Sequence, residues 1–392
     1  MTLNTKISVM LTSYKHPMWI GEAIESVLKQ TFKYFELIIV DDASDDGSAE
    51  IIKYYAKKDS RIKYKILKSN KGAIGALKQC YDLCSGKYLA IISSDDVWEL
   101  DKLALQVSVL DRNKKIGAVF ALPIFIDANS TPITIIQNEF TPSLNLKTRT
   151  QWMNFFFNKG NCVCHPTILI RKECYEKIGF YNPTFRSLPD FEMWVRLFYQ
   201  YDVKILNAHL IKFRKHEFNE SGEHLSNIIR CQTEYKQILN NFIAQIKTVK
   251  EMIEIFPEHY DLFKANNNLL VPFYFAQIAL KRKEAFTFDF AFDILHTEMA
   301  KPTILKIVEQ YNLYSVVQLS KDVTSADIYL MRENIKIKNF PNSTLITIIK
   351  KCKSKLNFIF NILKVSIYRG IRIKSQKTNK TGNNLISQKI KW

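Results

Sequence analysis

Short aliphatic runs alternate with amphipathic stretches through the first third of the chain. Ile7–Thr12, Glu36–Val40, Ile62–Leu67, Tyr88–Ile92 and Gly117–Ala121 are apolar runs of strand length. The segments between them carry apolar residues at three- and four-residue steps, the spacing of a helix face. They predict helices over Pro17–Gln30, with a proline in the first turn, over Ala49–Lys58, over Asn70–Cys84, closed by Ser85-Gly86, and over Glu99–Arg112. Apolar strands alternating with helices predict an α/β fold whose mostly parallel sheet is covered on both faces. In such sheets ligands collect beyond the carboxyl ends of the strands. Thr12–Tyr14, Asp41-Asp42, Asn70 and Ser94–Asp96 all lie just past strand ends and are expected to meet in one crevice. From 123 to 216 the pattern predicts a smaller mixed sheet with two helices over that crevice. Residues 226–319 read as helical, without a catalytic cluster.

Length and composition narrow this only slightly. A chain of 392 residues suggests two domains, or one with a large appendage, and 47% hydrophobic with 24% charged residues excludes general disorder. No run reaches the eighteen nearly uncharged apolar residues of a spanning helix. Ile7–Leu11 is too short for a leader core, so the expectation is a cytoplasmic protein, or one on the inner membrane face. The seven cysteines are odd in number and scattered. Cys162, Cys164 and His165 lie close together, but no second ligand pair follows at zinc spacing, so buried reduced thiols are expected.

Charge changes the picture more. The net charge is +18, and residues 341–392 supply twelve Lys and Arg with no acid, leaving +6 for the rest. In that tail Leu345, Ile348, Ile349, Cys352, Leu356, Ile359, Phe360, Leu363 and Ile367 form an apolar stripe, with most lysines off it. A basic amphipathic helix of this kind over 341–374 reads as lying on an anionic membrane surface. Alternatives are a helix packed on the body and a nucleic-acid contact; the long stripe favours membrane, and no nucleic acid is expected. Beyond Ser375 the sequence is polar and expected to be disordered.

Chemistry concentrates at the strand ends. Asp95 and Asp96 repel each other unless a cation lies between them, and a hard divalent ion, Mn²⁺ or Mg²⁺, bridging Asp96 to a diphosphate would neutralise a leaving group. The plainer reading is a cap for the next helix. Asp41 through Ser48 offers carboxylates for a uracil imide or ribose hydroxyls, or an Asx turn with Ser48 as cap. Asp45, Asp46 and Ser48 read as structural and Asp42 as functional.

These segments together resemble the family 2 glycosyltransferases. They are Ile7 to Tyr14, Val40 to Ser48, Asn70-Lys71-Gly72, Ser85 to Tyr88, and Ser94-Asp95-Asp96, in the family's order, and with the later segments below the resemblance covers about 215 residues. The resemblance implies an inverting enzyme of Rossmann-like GT-A fold, followed here by a helical C-terminal region. It implies that Thr12, Tyr14 and Asn70 line the nucleotide site, Tyr14 near the base, that Asp42 binds uracil, and that Asp95 and Asp96 form the metal motif. Leu188 to Leu197 resembles the segment with the catalytic base, Asp190 falling on the base position, Glu192 next to it, and Pro189 replacing a first acid. A carboxylate opening a helix can deprotonate an acceptor hydroxyl, or simply cap the helix. Phe213-Arg214-Lys215-His216 resembles the end of the catalytic domain, with Arg214 and His216 near the donor diphosphate. His165 lies where the family has an acceptor-side strand.

The expected layout is a catalytic domain over 1–225, divided into a nucleotide half (1–121) and an acceptor half (122–225), a helical region over 226–340, and the basic tail. The expected partners are a nucleotide-sugar donor, a UDP-sugar above others, and a glycan or glycolipid acceptor of the cell surface. The rivals are a nucleotidyltransferase, which should carry a glycine-rich phosphate loop where Thr12 to Pro17 stands, and a binding protein without catalysis.

Overall fold

The computed structural model describes residues 6–134 and 148–314, apart from 218, 220–224 and 283. The basic stripe expected over 341–374 lies outside the described residues. So does the end of the helical region.

Alternation of side chains along each strand builds two cores from one sheet. In β1 (Ile7–Ser13), β2 (Phe35–Asp41) and β4 (Tyr88–Ser93), one face presents Ile7, Val9, Leu11, Leu37, Ile39, Ala90 and Ile92. These pack on α1 (Ile20–Leu28), α2 (Ser48–Lys58) and α4 (Lys102–Arg112). The opposite face presents Met10, Ile38, Val40, Leu89 and Ile91 to α3 (Gly72–Leu83). That second core runs on without a break through α5 (Arg149–Lys159), α7 (Pro189–Gln200), α8 (Leu225–Gln245), α9 (Val249–Ile255), α10 (Val271–Arg282) and α11 (Ala285–Met299) to α12 (Pro302–Gln310).

The sheet has eight strands, adding β3 (Ile62–Ile66), β5 (Val97–Trp98), β6 (Ile116–Ile126), β7 (Leu169–Arg171) and β8 (Asp202–Arg214). Their order is β3-β2-β1-β4-β7-β6-β8-β5. Neighbours among β3, β2, β1 and β4 run parallel, as do β6 and β8; β7 lies antiparallel between β4 and β6, and β5 antiparallel to β8. The mostly parallel α/β sheet is therefore as expected, but the second half of the domain forms no smaller sheet of its own. Its strands extend the first, and the connection between them carries α5, α6 (Lys172–Ile178) and α7.

Three boundaries differ for local reasons. Pro17 precedes its helix, because the His16 carbonyl takes the N–H groups of Trp19 and Ile20 in a turn. Gly86 is no helix cap: a Cβ there would lie 2.5 Å from the Ser8 nitrogen, so glycine allows the chain to pass against β1. The fourth helix begins at Lys102 rather than Glu99, since Val97-Trp98 pairs with β8 first. Among the described residues no helix is long and apolar enough to cross a membrane.

Candidate active site

Register places the ends of β1, β2 and β4 side by side: Ser13 lies opposite Asp41 and Thr12 opposite Ser93. Both chains leave their strands through left-handed residues, Lys15 (φ 56°) and Ala43 (φ 62°). The Lys15 N–H donates to Ser44 Oγ at 3.0 Å, tying the two exits together. Non-glycine residues rarely hold this conformation, and strain of this kind gathers at functional sites.

Within the acidic turn the two neighbouring aspartates have different partners. Asp41 accepts from the Ser44 N–H and from the hydroxyls of Ser13 and Ser44, so both its oxygens serve the turn. Asp42 is buried and uses one oxygen, which accepts from the Lys71 N–H at 2.6 Å. Asn70 fixes the same junction, accepting from the Gly72 N–H and reaching the Asp42 carbonyl. Thr12 is half-buried at the strand end and Tyr14 is exposed beside it. Asp46 accepts from the Ser48 N–H, while Gly47, not Ser48, occupies the cap position.

The pair after β4 also separates into two roles. Neither residue caps α4, whose cap position is Asp101. Asp95 Oδ2 lies 3.0 Å from His216 Nε2 and accepts from Asn219 at 3.3 Å. His16, Asp95 and His216 offer ligand atoms all within 4.8 Å of one another. Ser94 Oγ holds His16 Nδ1 at 2.9 Å, and Trp19 lies 4.3 Å from the His216 ring. Burial pushes the His16 imidazole below its usual range, favouring the neutral ring that ligates metals. Asp96 lies outside this group. One of its oxygens accepts from the Arg214 N–H at 3.1 Å; the other is buried with no partner among the described residues. Burial, then repulsion from Asp95, drive its carboxyl well above the usual carboxylate range.

Arg214 is turned into the protein. Its guanidinium is fully buried and donates to the carbonyls of Asp95, Asp127 and Ala128, to Ser130 Oγ and to Glu22 Oε2 at 2.7 Å. It pins the loop after β4 to the loop after β6, so the side chain expected near the donor diphosphate is engaged with protein groups.

Asp190 lies in the first turn of α7, past the cap position held by Leu188, so it is not the helix cap. One oxygen accepts from Asn161 Nδ2 at 2.9 Å. Burial pushes its carboxyl up to about 6, against the lowering effect of the Phe191 N–H and Asn161. Burial, then the negative charge of Asp96 and Asp190, drive the Cys164 thiol well above its usual range. Glu192, by contrast, is buried in a two-bond ion pair with Arg196 and accepts from Asn241. It is not available as a base. Partly buried His165 bonds Tyr181 at 2.8 Å, and desolvation pushes its imidazole down to about 4.

A sheet of this order, with acidic groups gathered past the ends of its parallel strands, has the GT-A fold. The chain belongs to glycosyl transferase family 2, which it matches over residues 8–179. It is 30% identical over 211 residues to an uncharacterized glycosyltransferase of Methanocaldococcus jannaschii, a span of 53% of this chain and 70% of that one. It is 38% identical over 104 residues to a Bacillus subtilis glycosyltransferase named for teichuronic acid biosynthesis, TuaG, a span of 26% of this chain and 41% of that one. Among solved structures, S. aureus TarS 1–349 in complex with UDP-GlcNAc superposes with a TM-score of 0.52 at 16% identity, covering 81% of this chain and 91% of that one. Family membership makes the chain a glycosyltransferase and sets aside the nucleotidyltransferase and non-catalytic readings.

Sequence reasoning passed over His16 and Asn161. His16 could have been found by the same strand-end rule that selected Thr12 and Tyr14, since it follows them directly. Asn161 gave no signal, being a lone amide near a glycine.

Proposed function

We propose that this glycosyltransferase moves a sugar from a UDP-sugar to an acceptor hydroxyl with inversion, in the assembly of a cell-surface polysaccharide or glycolipid. The observations that carry the reading are the two-imidazole, one-carboxylate cluster of His16, Asp95 and His216 past the strand ends, and the buried Asp190 carboxyl, pushed up to about 6. In this reading residues 1–121 hold the nucleotide and 122–225 the acceptor. The free oxygen of Asp42 suits a uracil imide, Thr12 and Tyr14 border the same pocket, and Asn70 shapes it. TuaG's name supports the polysaccharide assignment, and the basic tail supports work at the inner membrane surface.

The residues fit a divalent cation. His16, Asp95 and His216 would hold it, and a cation close by would offset the burial of the unpartnered Asp96 oxygen. Two imidazole nitrogens suit Mn²⁺ better than Mg²⁺, which prefers oxygen shells. When bound, such a cation supplies neutralising charge for a departing diphosphate. Asp190 takes the acceptor proton, and the freed oxygen attacks the anomeric carbon. The bond from that carbon to the diphosphate breaks on the opposite side. One displacement of this kind inverts the anomeric configuration.

Calorimetric titration of UDP with and without Mn²⁺ tests the site. The wild-type chain is expected to need Mn²⁺ for tight binding, and D95A and H216A to lose at least about tenfold of that affinity. UDP affinity that ignores Mn²⁺, in wild type and variants alike, would refute the assignment. Product with the donor's anomeric configuration retained would refute the single displacement.

A further inference from the structure

Helix α8 enters the catalytic domain at one point of unusual bonding. Glu234, itself only 7% exposed, receives three consecutive backbone N–H groups. Arg186 donates at 2.8 Å, Ser187 to both carboxylate oxygens at 3.2 and 2.9 Å, and Leu188 at 2.7 Å. A buried carboxylate gathering backbone donors makes charge-assisted bonds about twice as strong as neutral ones. The segment so held, 186–188, runs directly into Pro189 and Asp190 at the head of α7. Two further contacts from α8 fix α7 along its length. Tyr235 lies 5.2 Å from the Phe191 ring, and Asn241 donates to Glu192.

We propose that Glu234 is a positioning residue for the catalytic base: α8 reaches in from the helical region to set the loop that aims Asp190. The proposal rests on Asp190 being the base and gives the helical region a catalytic role besides completing the core. The helix head alone does not fix the carboxylate's position, because the chain before it, from Gly179 to Leu188, has no regular structure. Pro189 supplies no N–H to tie that loop from within. Glu234 supplies the missing tie from outside.

Electrostatics adds a separate signature. The titratable groups facing Asp190 are Glu234 and Cys231 from α8, Tyr181 from the loop before α7, and Cys164. Burial raises both thiols and the phenol above their usual ranges, so these three are neutral near pH 7. Glu234 is the one carboxylate of the four, and after burial its Coulombic repulsion also raises the Asp190 carboxyl. Removing that charge should lower the base's titration, while misaiming the loop should slow turnover.

The test uses the full chain with Mn²⁺ and whichever member of a UDP- and GDP-sugar panel it hydrolyses fastest, with water as acceptor. Glu234→Gln is expected to lower kcat about ten- to a hundredfold, the range for a displaced catalytic group. UDP affinity and donor KM should stay within about twofold, and the acid limb of the pH profile should move to lower pH. Glu234→Asp keeps the charge on a shorter arm, so kcat should fall roughly threefold or more with the acid limb in place. Should E234Q be insoluble, E234D alone decides. Wild-type kcat in the soluble variants overturns the proposal, and so does parallel loss of kcat and UDP affinity. Asp190→Asn separates the two readings. Should it retain turnover, the base assignment has failed; should it be inactive while the Glu234 variants turn over normally, only the positioning role has failed.

Discussion

At the scale of single residues, neighbouring carboxylates of the same type carry different roles because their hydrogen-bond partners differ. Asp41 is fully engaged by Ser13 and Ser44, while Asp42 keeps an oxygen free. Asp95 faces two imidazoles and Asp96 does not. Asp190 shows what such placement costs. Its carboxyl titrates near 6 in the folded protein, above the ordinary value near 4, so the unfolded chain releases the proton more readily. Stability from this group is therefore full below about pH 4 and declines as pH rises through about 6, the reverse of a salt-bridged aspartate. Asp190→Asn should melt no lower than wild type at pH 8, and its advantage should shrink as pH falls from 6 to 4. The same substitution should lower turnover by about 10²–10⁴, the span of a general base, and leave UDP affinity nearly unchanged. Calorimetric melts across that pH range and single-turnover rates check the pair. A variant that melts well below wild type at pH 8 would show that the carboxylate stabilises the fold, contrary to its desolvated setting.

At the scale of elements, the strands were legible because aliphatic runs such as Ile7–Leu11 and Leu37–Val40 are buried on both faces and contain little else. The strand-end rule placed Thr12, Asp42 and Asp95 at or just past the strand ends without any coordinates. Three-residue β7 was not legible, since Leu169-Ile170-Arg171 is too short for periodicity and its pairing with β4 and β6 is set by tertiary contact alone. The division between Asp95 and Asp96 was not legible either. It depends on β5 pairing with β8, which brings the Arg214 N–H to Asp96. Helices α8 to α12 read as a separate region because their pattern is helical throughout, yet their apolar faces belong to the sheet's own core. Ile238, Phe242, Val249, Met252, Phe256, Phe273 and Phe275 pack in one cluster with Trp152, Phe156, Phe157 and Phe198. Each such side chain contributes about 1.5–3 kcal/mol by burial, and half a dozen match the whole stability of an ordinary domain, about 5–15 kcal/mol. A chain ending at residue 224 should therefore be insoluble or lack cooperative unfolding, as judged by calorimetry and amide spectral dispersion. A sharp transition with retained UDP binding would mean that the catalytic half is a domain by itself.

At the scale of the whole molecule, charge is divided unequally along the chain. Residues 1–340 carry a net +6 and residues 341–392 carry twelve cations without an acid. A field this localised acts on whatever polyanion the protein meets, and the choice among polyanions falls to the apolar positions. A lipid surface admits both, since each cation near anionic headgroups contributes about 1 kcal/mol and apolar side chains can enter the interface beside them. A duplex satisfies the charge alone, and its hold vanishes as salt rises. The full chain should thus sediment with vesicles containing a third phosphatidylglycerol, and part of that binding should survive 0.5 M NaCl. A chain ending at residue 340 should stay in the supernatant at every salt concentration and keep its UDP affinity. Equal sedimentation of the two chains would move the membrane contact onto the catalytic body, and binding abolished by salt with duplex DNA competing would make the tail a general polyanion contact.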